Sequence, residues 1–370
     1  MQRKLVLTAA AIGLAACADS RSATAPVQSQ VEANRQNGGG VAGAVYTSTN
    51  GTAGNAVIAY SRNNQGQLTR IGSFDTRGLG FGTGTDPLGS QFSVILNEDH
   101  TRLYVVNGGS NDITVFDVDR GGSLSWRQRI GSNGTTPVSL AARDGRLFVL
   151  NQGSNSVASF RVHEDGSLSE GSRQNLPAGA AGASTVRVDH RVLIVTERTT
   201  NRLDLFRLDE DGRIGRPDTV TSNGATPFGF DVGRRGLVLV SEAGPNAVST
   251  YRVHDEHVRL DDGSVPTGGK ATCWLRLSPD ERFAFTANAG SASITAFAVD
   301  GNGTIAQESI GTLAAGAAPL DLDVTADNRF VYAVEAGTQG IGAFAIGGDG
   351  HLTALSGATG VGGFEGLAAF

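Results

Sequence analysis

Apolar and polar residues alternate along most of this chain in short runs separated by Gly, Asn, Asp and Ser. In the stretch from Leu103 to Val118, an apolar run ends at Asn107, a Gly-Gly-Ser-Asn turn follows, and a second apolar run begins at Ile113. This pattern predicts two β-strands joined as a hairpin. Because no long stretch has a helical period, we predict an all-β fold.

The hairpin recurs seven times. An aromatic residue in its second strand recurs about every 45 residues, at Tyr60, Phe116, Phe160, Phe206, Tyr251, Phe297 and Phe344. A repeat of this length, with four short strands in each copy, is typical of a propeller blade. The sequence therefore predicts one seven-bladed β-propeller over residues 43–370, in place of the two or more domains that a length of 370 residues suggests.

The two ends of the repeat region predict how the ring closes. Inner strands are predicted at residues 92–96, 138–141, 186–189, 228–232, 273–277 and 320–324. The first unit has no inner strand of its own, whereas residues 365–370 form an unassigned strand at the end of the chain. We predict that this C-terminal strand joins blade one and covers the sheet edge.

A Gly-rich insertion, residues 78–86, lengthens the interval between Tyr60 and Phe116. No Gly-Lys-Ser/Thr motif and no helix pattern follow it, so a phosphate-binding loop is not predicted. We expect a flexible loop over one face of the propeller.

The N-terminus has the features of an export signal. Arg3 and Lys4 precede an apolar run that is too short to span a bilayer, and the run ends in Leu-Ala-Ala-Cys at Cys17. This ending resembles the bacterial lipoprotein box, in which the cysteine is acylated. We expect a signal peptide over residues 1–17, a flexible tether over 18–42 and a lipid-anchored protein in the periplasm or on the cell surface; an ordinary signal peptide is the alternative.

Charge and cysteine content restrict the chemistry. The net charge is −6 without a basic cluster, which argues against binding to nucleic acid. With Cys17 lipidated, Cys273 has no disulfide partner, and we expect a buried, inert thiol rather than a reactive one.

Polar residues recur at the predicted ends of the second strands. Nine residues before each aromatic lie Gly51, Asn107, Asn151, Glu197, Glu242, Asn288 and Glu335. We expect these side chains to ring the channel mouth on the face where the inner strands begin; the alternative is that they cap the strand ends. All six histidines fall in turns of the opposite face, where we expect them to be exposed, so a zinc site or a Ser-His-Asp triad at the mouth is not predicted.

The inner strands predict charged groups along the channel. Their apolar positions, such as Val94 and Leu140, should pack between blades, whereas the other positions carry Trp274, Asp321, Asp231, Asp323, Arg187 and Arg276. Arg187 and Arg276 can hold a carboxylate or an oxyanion while Glu197 or Glu242 activates water. A structural salt-bridge network is the alternative. Asp231, Asp321, Asp323 and Glu365 can also ring a calcium ion, but no contiguous ligand loop supports one, so we predict no metal and no cofactor.

Residues 43–370 resemble the lactonase family of seven-bladed propellers, which includes 6-phosphogluconolactonases of the cycloisomerase type and carboxymuconate-lactonizing enzymes. The resemblance rests on residues 278–283, Ser-Pro-Asp-Glu-Arg-Phe, on the Thr-Ala-Asn that ends at Asn288, and on residues 103–107. It implies a glutamate, a histidine and arginines around the channel, for which Glu197, Arg187 and Arg276 are counterparts. The chain departs from the family at the histidine, because Val138, Phe228 and Leu320 follow the prolines that head inner strands.

These observations lead to two hypotheses of function. The first is hydrolysis or formation of a small acidic sugar lactone or muconate-type lactone, with Glu197 or Glu242 as base and Arg187 and Arg276 as clamp. Its substrate contacts are expected from Asn107, Asn151, Asn288, Glu335, Trp274 and Asp321. The second is a scaffold propeller, shared in type with surface-layer proteins, whose mouth binds a glycan, a peptide or a partner protein without chemistry.

Overall fold

The computed structural model describes residues 41–82, 86–254, 257–363 and 365–370. Within these residues, 28 strands form seven four-stranded antiparallel sheets, which confirms the seven-bladed β-propeller. Cys17 and most of the predicted tether lie outside the described residues. The described part of the chain contains no helix with the length and apolar character that crossing a bilayer requires.

Six blades are built from four consecutive strands, and blade one takes its innermost strand from the end of the chain. The strands of blades one to three are β28 (Glu365–Ala369), β1 (Gly43–Ser48), β2 (Ala56–Arg62), β3 (Leu68–Asp75), β4 (Val94–Leu96), β5 (Arg102–Asn107), β6 (Asp112–Val118), β7 (Leu124–Gly131), β8 (Pro137–Arg143), β9 (Arg146–Asn151), β10 (Ser156–Val162) and β11 (Leu168–Asn175).

The remaining blades follow the same order. The strands of blades four to seven are β12 (Ala183–Asp189), β13 (Val192–Glu197), β14 (Arg202–Leu208), β15 (Ile214–Thr221), β16 (Pro227–Val232), β17 (Leu237–Glu242), β18 (Ala247–His254), β19 (His257–Pro266), β20 (Thr272–Leu277), β21 (Phe283–Asn288), β22 (Ser293–Val299), β23 (Ile305–Thr312), β24 (Pro319–Val324), β25 (Phe330–Glu335), β26 (Gly340–Ile346) and β27 (Leu352–Ala358). Two short 3₁₀ turns lie at Arg234–Gly236 and Ala289–Ser291.

The predicted closure is confirmed. Strand β28 pairs antiparallel with β1, and Val45 lies opposite Ala369 while Tyr46 lies opposite Ala368. This pairing gives the backbone groups at the edge of β1 their hydrogen-bond partners and joins the two ends of the repeat region in one sheet.

The repeating aromatic residues hold the blades together. All seven are at most 4% exposed, and they pack among the apolar residues of the inner strands. Burial of one such side chain stabilises the fold by about 1.5–3 kcal/mol. Each repeat of the sequence therefore contributes one buried aromatic residue to the packing of its blade.

The inner strands run in one direction and define the two faces. We call the face where they begin the entrance face and the face where they end the exit face. Residues 78–82 of the insertion lie on the entrance face, where the Gly80 amide donates to the Gly51 carbonyl and the Gly109 amide donates to the Leu79 carbonyl. Leu79 and Phe81 project into solvent there.

Candidate functional site in the propeller channel

The segment Leu88–Phe92, which follows the insertion, crosses the channel on its entrance side. Ser90, Gln91 and Phe92 are at most 3% exposed. Strand β4 starts only at Val94, later than predicted, because Phe92 has a left-handed backbone with φ of 66°. We call residues 88–92 the axial strap.

Hydrogen bonds to the inner strands β20 and β24 fix the axial strap. The Gln91 side-chain amide donates to the Leu275 carbonyl at 2.6 Å, and its Oε1 accepts from the Leu275 amide at 3.2 Å. The Trp274 indole donates to the Ser90 carbonyl at 2.8 Å, and the Phe92 amide donates to Asp321 at 2.9 Å. Trp274 and Asp321 therefore hold the strap, which corrects their expected contact with substrate.

Three carboxyl groups lie beneath the entrance face. Burial raises the pKa of Asp86 to about 6 and that of Asp321 to about 8, and it also raises the pKa of Glu365. Glu365 accepts from the Leu88 amide at 3.1 Å. No cluster of three or more His, Cys, Asp or Glu side chains with metal-binding geometry occurs among the described residues. The calcium ring considered from the sequence therefore has no structural basis.

On the exit side of the strap, two arginines and two aspartates form an ion-pair network. Arg187 Nε donates to Asp231 at 2.9 Å, Arg276 Nη1 donates to Asp231 at 2.6 Å, and Arg276 Nε donates to Asp323 at 2.7 Å. Both guanidinium groups also lie over the Phe92 ring, at 4.4 Å for Arg187 and 5.2 Å for Arg276. Although burial opposes ionisation, the two arginines lower the pKa of Asp231. The network is thus a rigid, charge-paired floor.

A cavity of about 410 Å³ lies above this floor, among the exit ends of the inner strands. Arg187, Arg276 and Asp323 line it together with Arg143, His100 and Glu98, and its apolar walls include Val94, Val188 and Leu367. This volume is within the range of small-molecule sites. We call it the exit cavity.

His100 lies at the rim of the exit cavity, in the turn between β4 and β5. Its ring stacks on Phe370, with centroids 5.0 Å apart and planes at 20°. Burial lowers the pKa of His100, so the imidazole is neutral at pH 7 and can accept a proton. The prediction of exposed histidines holds for His163, His190, His254, His257 and His351, but it was wrong for His100, which is half-buried.

Glu197 and Glu242 do not join the arginines. Glu197 lies opposite Ala183, whereas Arg187 lies four residues further along β12, roughly 13 Å away in a strand. Glu197 is fully buried and accepts from the Ala181 amide, Thr200 and Arg202.

Glu242 is likewise fully buried. It accepts from the Gly224 amide at 2.7 Å, from Ser249 at 2.5 Å and from Ser264 at 2.6 Å. The expected site that combines a glutamate base with Arg187 and Arg276 is therefore not assembled in this structure.

The amides predicted at the channel mouth cap strand ends within the blades instead. Asn107 donates to Asp112 and Thr114 and accepts from Thr76, and Asn288 likewise accepts from Thr272 at 2.6 Å.

Asn151 and Glu335 have the same position in their blades. Asn151 donates to the Ser132 carbonyl at 2.9 Å, and Glu335 accepts from Thr338. The three asparagines are fully buried and Glu335 is 8% exposed. The structure therefore places these buried side chains as caps of strand ends, which is the alternative given above, in place of the expected substrate contacts; Asn151 Oδ1 has no hydrogen-bond partner.

Cys273 lies at the start of β20. Burial raises the pKa of its thiol to about 12. The thiolate is therefore negligible at neutral pH, as expected for an inert cysteine.

Sequence patterns did not indicate the axial strap or His100. The strap follows an insertion that lies outside the repeat, so no periodic pattern marks it. The sequence also predicts Phe92 as the first residue of an inner strand. The one available signal was the long interval between Tyr60 and Phe116. The extra residues are not needed to connect two blades, which indicates that they cover a face of the propeller or enter its channel.

Comparisons with known proteins agree with this architecture. A family model described as "Lactonase, 7-bladed beta-propeller" matches residues 51–181 and 237–315. A putative 6-phosphogluconolactonase from Bacteroides fragilis superposes with a TM-score of 0.70 at 16% identity, covering 89% of this chain and 98% of that one. The periplasmic gluconolactonase of Pseudomonas aeruginosa has a TM-score of 0.65 at 19% identity, covering 86% and 96%.

A more distant similarity is to virginiamycin B lyase from Staphylococcus aureus, with a TM-score of 0.53 at 14% identity over 72% of this chain and 83% of that one. At such identities the superpositions establish the fold alone. The chain has no match among curated proteins.

Proposed function

The chain belongs to the seven-bladed lactonase β-propeller family, and we propose that it hydrolyses a small lactone in the exit cavity. The observation that carries this proposal is the placement of a neutral imidazole, His100, at the rim of a cavity whose floor presents Arg187 and Arg276. A general base and a cationic oxyanion site are the two groups that ester hydrolysis requires.

The chemistry assigned to these groups is simple. His100 removes a proton from water, the resulting hydroxide attacks the lactone carbonyl, and the oxyanion lies against the guanidinium groups of Arg276 and Arg187. Collapse breaks the ring C–O bond, and the alkoxide takes the proton back from His100, which yields the hydroxy acid. His100 thus takes the role that sequence reasoning gave to Glu197.

The floor is suited to this task because its geometry is fixed in advance. Each arginine is held by aspartates and by the face of Phe92, so little reorganisation is needed when negative charge develops on the carbonyl oxygen. Arg276 is fixed by two of its nitrogen atoms, because Nε and Nη1 form its ion pairs with Asp323 and Asp231.

The test is the hydrolysis of a lactone panel by the purified protein and two matched variants. His100→Asn removes the base, and His190→Asn is the control, because His190 occupies the corresponding turn of blade four and its side chain is 71% exposed. Both histidines have left-handed backbone conformations, which Asn tolerates well. We expect His100→Asn to lower kcat by about 100-fold or more and His190→Asn to leave it unchanged.

A non-catalytic binding propeller is the second candidate. It is favoured by the pairing of both channel arginines with aspartates and by the axial strap that closes the entrance side. Absence of turnover above buffer with the whole panel would establish this candidate instead. Turnover that survives in His100→Asn would retain lactone hydrolysis but contradict the assigned base.

A further inference from the structure

The charges around the exit cavity are balanced. Arg187 and Arg276 are bonded to Asp231 and Asp323, with nitrogen–oxygen distances between 2.6 and 2.9 Å. These two arginines and two aspartates together carry no net charge. A phosphate or carboxylate group of a ligand would therefore have to displace these aspartates to form an ion pair of its own, whereas the carbonyl oxygen of a lactone needs only a single N–H donor from the guanidinium groups.

The third cation of the cavity, Arg143, has two acidic neighbours, but they hold it more loosely, and its buried Nε has no hydrogen-bond partner. Arg143 lies 3.8 Å from Asp189 and 3.5 Å from Asp144. Among the residues that the structure describes, Arg143, Arg187 and Arg276 are the cations that line the cavity. Glu98 adds a carboxylate at the rim, so the surroundings are neutral to acidic.

From this balance we infer that the exit cavity selects an uncharged, hydroxyl-rich lactone and rejects lactones that carry a phosphate or a carboxylate. The inference rests on the proposed function and names its substrate class. A phosphate dianion would lose its hydration in the cavity, would find both floor arginines bonded to aspartates and only the loosely paired Arg143 as a cation, and would lie near several carboxylates. This class differs from the acidic lactone expected from sequence.

The same groups suit a polyol. Guanidinium N–H groups donate and aspartate oxygens accept hydrogen bonds, so a ring with several hydroxyls finds both kinds of partner side by side. The apolar walls at Val94, Val188 and Leu367 can contact the carbon face of the ring. Recognition of a neutral sugar therefore requires no change in the ion-pair network.

The experiment compares D-glucono-1,5-lactone with its 6-phosphate. We expect kcat/KM to be about 100-fold higher for the uncharged lactone. Binding is measured in parallel by calorimetry with D-gluconolactam, an uncharged analogue with nitrogen in place of the ring oxygen, and with 6-phosphogluconate.

Two variants test the cause. Asp189→Asn removes the negative charge of the buried partner of Arg143; the Asp189 side chain is 8% exposed. This change should lower KM for the phosphorylated lactone about tenfold without changing turnover of the neutral lactone. Asp144→Asn removes the other partner, which is 77% exposed and screened by water, and should change neither substrate.

The outcomes separate the inference from the proposed function. Preferential turnover of the phosphorylated lactone would overturn the charge argument and leave the lactonase function standing. Binding of the lactam without turnover of either lactone would support the charge argument and reject catalysis. Failure of both turnover and lactam binding would overturn both.

Discussion

The carboxyl groups of Glu197 and Asp204 are neighbours inside blade four, and each shifts the pKa of the other. Both side chains are fully buried on adjacent strands, β13 and β14. Glu197 Oε1 and Asp204 Oδ2 are buried without a hydrogen-bond partner, and two ionised carboxylates cannot satisfy each other, so a proton on one of them supplies the donor that the pair lacks. Burial and the neighbouring Glu197 raise the pKa of Asp204 to about 8, so Asp204 carries the shared proton at neutral pH.

This pair predicts a pH dependence of stability. Between its ordinary pKa of 3.8 and about 8, folded Asp204 retains a proton that the unfolded chain releases, so the free energy of unfolding should fall as the pH rises. Asp204→Asn keeps a donor for Glu197 but does not titrate. We expect it to reduce this slope and to raise the free energy of unfolding at pH 8 by about 1–3 kcal/mol.

Urea unfolding at pH 5 and pH 8 measures this difference. Asp211→Asn, in the exposed turn between β14 and β15, is the control and should retain the wild-type slope. Asp321, whose pKa is also raised to about 8, titrates in every variant and leaves a residual dependence. Equal slopes for wild type and Asp204→Asn would contradict the shared proton.

The axial strap predicts a large effect from one buried amide. Gln91→Leu would leave the amide and carbonyl of Leu275 without partners in the channel, and should lower the free energy of unfolding by about 2–4 kcal/mol. Gln65→Leu, on an exposed turn, is the matched control and should have little effect. A Gln91 variant as stable as the control would show that the strap is not held as described.

Ring closure predicts that blade one depends on β28. Removal of residues 365–370 exposes the edge of β1 and deletes the strand that packs between β4 and β24. We expect the truncated chain to aggregate and to lose the cooperative unfolding of the wild-type protein, measured by size-exclusion chromatography and thermal denaturation. Phe370→Ala keeps β28 and should still fold. A truncated chain that elutes and melts like wild type would contradict closure by this strand.

Lipid attachment at Cys17 stays a prediction from the sequence. Cells that express the protein should incorporate labelled palmitate into it, and Cys17→Ser should abolish the label and release the protein from the membrane fraction. Cys273→Ser serves as the control and should retain the label. Label that persists in Cys17→Ser would favour an ordinary signal peptide.

Much of the fold was predictable because each blade repeats a local pattern. The aromatic of each second strand packs between blades, so its period in the sequence counts the blades directly. The missing inner strand of the first unit and the extra strand at the end implied their pairing, as β1 and β28 confirm.

The candidate site was predictable only in part. Arg187 and Arg276 were expected along the channel because buried Arg residues on inner strands need partners, and the structure pairs them with Asp231 and Asp323. Glu197 and Asn107 were misplaced, since a polar residue at a strand end has the same sequence signature whether it faces a channel or caps the neighbouring turn.

The sequence by itself determined the number of blades, the order of strands and the strand that closes the ring, because these depend on local periodicity and on hydrogen-bond pairing along the chain. Only the tertiary structure decided which face holds the cavity. Strap residue Gln91 and its partner Leu275 are far apart in sequence, as are His100 and Phe370, and no local pattern reports such contacts. Whether a polar side chain is consumed by a hydrogen bond or open to a ligand is set by these long-range neighbours, and so is the substrate that the channel can hold.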